Sequence, residues 1–265
     1  NKIGIIGAMT EEIELYLNEL KDIYKTQEAG FDFCGGLFEG KEVIIVKSGV
    51  SKVNAAACTQ ILIDNFNVKT IIFTGVAGSL NPELNILDIV ISKDCLQHDL
   101  DATKLGFEKG QIPFTELKNF NSSEILTSLG ITSGTQQKLN VQKGRILTGD
   151  QFIENKEKAI LLREEFSGDC IDMESAAVAH VCHLNNIEHV IIRSISDKAD
   201  GSASVDFGEF CKQASKNSFL LVKTMLKNIN FEIKNNKINT EKLKDKIRTV
   251  PDWPKPGIMF RDVST

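Results

Sequence analysis

Apolar runs alternate along this chain with stretches of helical period, and turn residues separate them. Lys2 to Gly7 reads as a buried first strand, and Ala8-Met9 as a turn into a helix from about Glu11 to Leu20 capped by Thr10. Phe31 to Leu37 and Glu42 to Ser48 read as a hairpin around Glu39-Gly40-Lys41. An alanine-rich helix follows from Val53 to Phe66, then a buried strand from Thr70 to Thr74 that runs into a glycine-bearing loop, Gly75-Val76-Ala77-Gly78-Ser79. Asp88 to Ser92 and Val141 to Leu147 are further strands, with a long aperiodic loop from His98 to Pro113 and a short helix from Ser122 to Leu129 between them. Gly149 to Ile153 is a loop, Lys156 to Phe166 a surface helix, Ser175 to Leu184 a buried helix, Val190 to Ile195 a β-branched strand, and Asp206 to Ile229 a long amphipathic helix. This alternation predicts an α/β domain over residues 1–229, built on a mixed, mostly parallel sheet flanked by helices.

Past Asn228 the pattern breaks. Residues 230–246 are rich in Asn, Lys and Glu and read as a linker with a short exposed helix. Residues 247–265 carry Pro251, Pro254 and Pro256, which exclude a regular helix or a central strand, together with the lone Trp253.

Composition narrows the partners. At 265 residues the chain can bury a sizeable core, and a net charge of -5 gives no electrostatic case for nucleic acid or an anionic membrane, so a neutral small molecule fits better. No apolar run approaches the roughly 18 residues of a membrane span, and the chain opens on a strand-like segment without a signal pattern, so the cytoplasm is the expected compartment. Six scattered cysteines with no C-x-x-C pair read as reduced core residues. His180, Cys182 and His183 lack the spacing and third acidic ligand of a metal site and read as packed or capping side chains.

The candidate chemistry is acidic. Asp172 and Glu174 stand where the Ser175 helix begins, and Asp197 just past a strand's carboxyl end, where open α/β sheets form ligand crevices. Glu11 and Glu12 fall in the first turn of the first helix, whose strand can end at the same crevice. Each has a bland reading as well: Glu11, Glu12 and Glu174 complement helix dipoles, and Asp197 caps the next element. Gly75 and Gly78 either let the backbone approach a ligand or make a tight turn.

Taken together, Gly4-Ile-Ile-Gly-Ala-Met-Thr-Glu-Glu, Thr74-Gly-Val-Ala-Gly, Asp172-Met-Glu-Ser-Ala-Ala-Val-Ala-His-Val-Cys and Arg193-Ser-Ile-Ser-Asp resemble the 5'-methylthioadenosine/S-adenosylhomocysteine nucleosidases of the nucleoside phosphorylase-like fold. The likeness covers about residues 1 to 228. It implies hydrolysis of the bond between adenine and the sugar, without a cofactor or metal. Glu12 would position and deprotonate the attacking water, Arg193 help hold it, Glu174 bind the ribose hydroxyls, and Asp197 donate a proton to adenine N7. Protonating the leaving base and placing negative charge near the cationic sugar would each lower the barrier by roughly 3 to 5 kcal/mol. The likeness also implies that the backbone of Phe152 and Ile153 reads adenine and that Phe152 stacks on it. Met9, Val50, Met173 and Phe207 would contact the ribose and 5' substituent, and Ala77, Gly78 and Ser196 complete the pocket. Phe107 and Pro113 would reach over from a second subunit, so a homodimer is expected. Asp172 stands where the family usually has glutamate, and Val76 where it often has a hydroxyl residue.

Related phosphorylases use phosphate and carry a cation after the first strand, where this chain has Met-Thr-Glu-Glu-Ile-Glu; hydrolysis is therefore expected over phosphorolysis. A binder of the same fold that has lost turnover would have no need of Glu12, Glu174 and Asp197 together. A hydrolase of a related adenine nucleoside such as aminodeoxyfutalosine is a third reading, decided by residues at the 5' end of the pocket. The tail from about Lys242 to Thr265 resembles the opening of adenine phosphoribosyltransferases without their acidic diphosphate-binding strand and loop. This chain is therefore expected to have no phosphoribosyl transfer activity of its own and reads as a fusion truncated by expression design or by gene loss, in which adenine released by the first unit feeds the second, in methionine and purine salvage.

Overall fold

The computed structural model describes residues 2–199, 207–229, 248–251 and 259–262. The chain divides into two compact units, Asn1–Ile229 and Asn230–Thr265. In the first, β1 (Ile3–Gly7), β4 (Lys41–Lys47), β5 (Thr70–Ser79) and β10 (Glu188–Asp197) run parallel, β1 between β4 and β5, and β5 between β1 and β10. Their apolar side chains, Ile6, Ile44, Val46, Ile71, Phe73 and Ile191 among them, are fully buried and form the core.

The sheet does not end at β10. That strand pairs antiparallel with β6 (Ile89–Gln97), β6 parallel with β8 (Val141–Thr148), β8 parallel with β9 (Cys170–Asp172), and β9 antiparallel with the far end of β5. The circuit β5-β10-β6-β8-β9 closes on itself as a small barrel. The expectation of a mostly parallel sheet is corrected accordingly: β2 (Lys21–Glu28), β3 (Phe31–Phe38) and β7 (Phe120–Asn121) also pair antiparallel, so among the described residues of this sheet parallel and antiparallel pairings are equal in number. The Gly75–Ser79 stretch is strand and not loop, because β10 flanks it on one side and β9 pairs with its end on the other. The hairpin of β3 and β4 turns on Glu39 and Gly40, both at positive φ.

The helices α1 (Thr10–Glu19), α2 (Lys52–Asp64), α3 (Glu124–Gln136), α4 (Lys156–Phe166), α5 (Ser175–Leu184) and α6 (Phe207–Asn228) pack around this frame. Buried Ala55, Ala176, Ala177 and Ala179 let α2 and α5 lie against each other, while α6 packs on α1, α3 and β10. Thr10 is the first helical residue and not the cap; its hydroxyl accepts from Lys47 Nζ at 3.3 Å, and Met9 takes the N-cap position. His180 stacks on Phe120 with ring centroids 4.4 Å apart, and all six cysteines are free and buried. No helix among the described residues is long and apolar enough to cross a membrane.

In the second unit β11 (Arg248–Pro251) and β12 (Met259–Asp262) form a two-stranded antiparallel ribbon. The expected linker at 230–246, and Trp253 with the rest of the proline-rich run, lie outside the described residues.

Close packing of α3 on β8 gives a test of the frame. A Cβ on Gly134 would stand 2.3 Å from Val141 Cγ2 and 3.2 Å from Leu221 Cδ1. Gly134→Ala is expected to lower unfolding free energy by about 1 to 3 kcal/mol through overpacking, read as a lower urea midpoint; an unchanged midpoint would contradict the packing described.

Candidate active site

The carboxyl end of β1 meets that of β5, and Glu12 spans the gap between them. Its Oε2 accepts from the amides of Ala8 at 2.6 Å and Met9 at 2.9 Å, and its Oε1 from the amide of Val76 at 2.9 Å. The carboxyl group is buried. Burial pushes its pKa up, opposed by the Arg193 charge and these three N–H donors. Glu11, the other candidate in this turn, is exposed.

Strand register brings the next groups in. Arg193 of β10 lies opposite Gly75 of β5. A Cβ at Gly75 would stand 2.4 Å from Glu12 Oε1 and 2.5 Å from Arg193 Nη1, so the two atoms face each other less than about 5 Å apart across a glycine that cannot be replaced without moving them. Arg193 Nε donates to Asp172 Oδ2 at 2.7 Å, and its Cζ sits 3.9 Å from the Phe73 ring centroid. Its Nη1 and Nη2 are buried with no hydrogen-bond partner among the described residues. Burial works against the guanidinium charge, but the carboxylates of Asp172, Glu12 and Glu174 outweigh it and raise its pKa.

Asp172, to which the family likeness gives no catalytic part, is the clamp of this arrangement. Besides Arg193 it accepts from Thr148 Oγ1 at 2.6 Å, from the amides of Glu174 at 3.2 Å and Ser175 at 3.1 Å, and from the Ser175 hydroxyl. Its placement beside a helix start was the available signal; the partner 21 residues on was not.

Glu174 is the N-cap of α5, but its side chain makes no capping bond. Instead Oε1 accepts from the amide of Ser51 at 3.0 Å. Ser51 holds that amide in place at φ 105°, a costly conformation for a non-glycine residue. Burial and the neighbouring Asp172 charge push the Glu174 carboxyl up to about 7. Asp197 is the last residue of β10, set opposite Gly78 by a register shift after Ile195 that accommodates Ser196. Its Oδ2 accepts from the Ser196 hydroxyl at 2.9 Å, and its Oδ1 from the amide of Ala199 at 2.9 Å, so it also caps the turn that follows. A Cβ on Gly78 would come within 2.9 Å of Asp197 Oδ1.

These carboxylates open on one cleft of about 270 Å³. Met9, Val50, Ala77, Gly78, Phe152, Met173 and Ser196 line it with Glu12, Glu174 and Asp197. Ile153 lines a small recess that also touches Phe152 and Asp197. The Phe207 side chain lies outside the described residues. A larger cavity of about 870 Å³, lined by Lys93, Lys156 and Arg163 among others, holds none of these carboxylates, so convergence of chemistry and not size identifies the site. Phe107 and Pro113 are not in the cleft of their own chain. Phe107 is half-buried with its ring edge-on to Phe114 at 5.1 Å, and the loop instead exposes Leu105 (70%) and Phe114 (86%).

The phosphorylase superfamily model matches residues 2–227. The chain is 37% identical over 226 residues to a 5'-methylthioadenosine/S-adenosylhomocysteine nucleosidase of Staphylococcus haemolyticus, covering 85% of this chain and 99% of that protein. It is similar to the Neisseria meningitidis nucleosidase of the same name solved with methylthio-immucillin-A, at 34% identity and TM-score 0.83, covering 86% of this chain and 99% of that one. It is equally similar to the futalosine hydrolase of Helicobacter pylori, at 34% identity and TM-score 0.83, covering 86% and 98%.

The raised pKa of Glu174 has a measurable consequence. Between its unfolded value near 4.5 and its folded value of about 7 the folded chain holds the proton and the unfolded chain does not, so stability falls as pH rises through this window and then levels. Glu174→Gln lacks that loss. Its unfolding free energy is expected to gain on the parent's between pH 4.5 and 7, by about 3 kcal/mol at the plateau; parallel pH profiles would refute the assignment.

Proposed function

Since the chain belongs to the phosphorylase superfamily, and within it to the 5'-methylthioadenosine/S-adenosylhomocysteine nucleosidases, we propose that its cleft hydrolyses the N-glycosidic bond of these two thionucleosides. The products are adenine and the 5'-thioribose. The observation that carries this reading is the facing pair of Glu12 and Arg193. A buried carboxylate fixed by three amides stands across Gly75 from guanidinium N–H groups that have no partner among the described residues. A water between them would be oriented by Arg193 and would give its proton to Glu12, whose raised pKa makes it a better base than an exposed carboxylate.

The other groups fit the same chemistry. As the sugar gains positive charge, Glu174 receives the ribose hydroxyls and supplies negative charge beside it. Asp197, with the Ser196 hydroxyl and the Ala199 amide holding its two oxygens, delivers a proton to adenine N7 as the base departs. Phe152, half exposed at the rim, stacks on adenine, with Ile153 behind it. Met9, Val50 and Met173 give the 5' end of the cleft an apolar lining suited to a thioether. Phosphate would be a poor co-substrate here. The cleft is lined by the carboxylates of Glu12, Asp172, Glu174 and Asp197, whose charge would repel it.

Exposure of Leu105 and Phe114 on the loop after β6 supports a homodimer, with these two residues in addition to Phe107 and Pro113 offered to a second copy. Six free, buried thiols suit a reducing compartment such as the cytoplasm. We read residues 1–229 as the nucleosidase domain, 230–246 as a linker and 247–265 as the opening of an adenine phosphoribosyltransferase-like unit, which would pass the released adenine into purine salvage.

Incubation with methylthioadenosine in phosphate-free buffer is expected to release adenine, with Asp197→Asn slower by a factor of about 10² to 10⁴ and Glu12→Gln similarly impaired. Release only after phosphate is added would make the protein a phosphorylase, and tight binding without release would make it a binder. For the tail, sequencing the gene beyond Thr265 tests the fusion: an acidic diphosphate-binding strand and loop there would support it, and an immediate stop codon would favour a decayed remnant or a chance likeness.

A further inference from the structure

Glu174 depends on the Ser51 amide, and Ser51 is held in a conformation that its own backbone disfavours. Something outside the turn must hold it. The next residue, Lys52, begins α2 and is tied to two other loops at the rim of the cleft. Its Nζ donates to Asp99 Oδ1 at 2.7 Å and Oδ2 at 2.9 Å and lies 3.7 Å from Asp150 Oδ2. Its amide donates to Asp150 Oδ1 at 3.0 Å, and the Asp150 amide donates in turn to Asp99 Oδ2 at 2.9 Å. Asp99 stands on the loop after β6, and Asp150 on the loop after β8, two residues before Phe152.

We propose that Lys52 is a positioning residue of the nucleosidase site, the cation that clasps the Ser51 turn to the adenine loop and so sets Glu174 and Phe152 relative to each other. The proposal rests on the reading of this cleft as a thionucleoside site. Its physical basis is charge balance. The Lys52 side chain is about one-fifth exposed, and without its charge the Asp99 and Asp150 carboxylates would face each other across the site's rim. Asp99 reports the pairing: burial alone would raise its pKa, but the Lys52 and Asp150 donors reverse that and lower it. Lys52 touches neither reacting atom nor general acid, so its loss should loosen substrate binding more than it slows the bond-breaking step.

The test compares Lys52→Met, Lys52→Arg and Lys52→Met/Asp99→Asn with the parent in adenine release from methylthioadenosine, alongside amide hydrogen exchange of the unliganded proteins. Lys52→Met is expected to raise KM by about tenfold or more with a smaller fall in kcat. Lys52→Arg should restore most of the KM, and the double variant part of it by removing one of the opposed charges. Exchange should quicken at residues 49–53 and 149–153 while the strands of the barrel keep their protection. An unchanged KM in Lys52→Met, or exchange that quickens evenly over the whole domain without rescue by arginine, overturns the clasp. Should the parent release no adenine at all, the nucleosidase reading fails, and the exchange pattern alone still decides whether Lys52 pins the two loops.

Discussion

The site is organised around one buried cation. Arg193 is 1% exposed and lies among Asp172, Glu12 and Glu174, each under 10% exposed. Three carboxylates crowded in a poorly solvated space repel one another, and without the guanidinium the chain could keep them only by protonating them. Asp172 is the one that binds it directly, through Nε, which turns the two Nη groups away from that carboxylate. Phe73 supports the guanidinium face. Breaking such a pair from either side leaves an uncompensated buried charge, at a cost of about 3 to 5 kcal/mol. Stability and function therefore rest on the same contact.

This arrangement accounts for the glycines. Gly75 lies where Glu12 and Arg193 converge, and Gly78 where Asp197 turns inward, so that both positions on β5 must lack a side chain for the neighbouring groups to reach the cleft. The stretch looked like a loop because it is poor in β-branched residues. It is a strand because it has ladder partners that no local pattern reveals.

The same distinction separates what could be read in the chain from what could not. Lys156 to Phe166 and Ser175 to Leu184 were legible to the residue, since their period and boundaries are local. β2 was not, because it is an edge strand exposed along almost its whole length and carries no apolar alternation. β9 is too short to leave a signature, and the barrel it closes is a property of long-range pairing. In the cleft, Glu12, Glu174 and Asp197 could be named from their positions at helix starts and a strand end, together with the family likeness. Ser51, Lys52 and Asp172 could not be given their parts. What they do depends on polar contacts with residues between 21 and 123 positions away, and polar residues at loop ends look alike until the fold is known.

The closed circuit of strands also bears on how the molecule is made. β10 sits between β5 and β6, pairing residues of the 188–197 segment with ones near 70–78 and 89–91. Contacts so distant in sequence form late, after the local helices and hairpins. A nascent chain that has not yet delivered β10 has the glutamate of α1 and the clamp of β9 but no cation between them, and the barrel stands open along one side. Assembly is thus ordered so that the charge which makes the interior tolerable arrives on the strand that seals it, and a partly synthesised chain carries no working cleft.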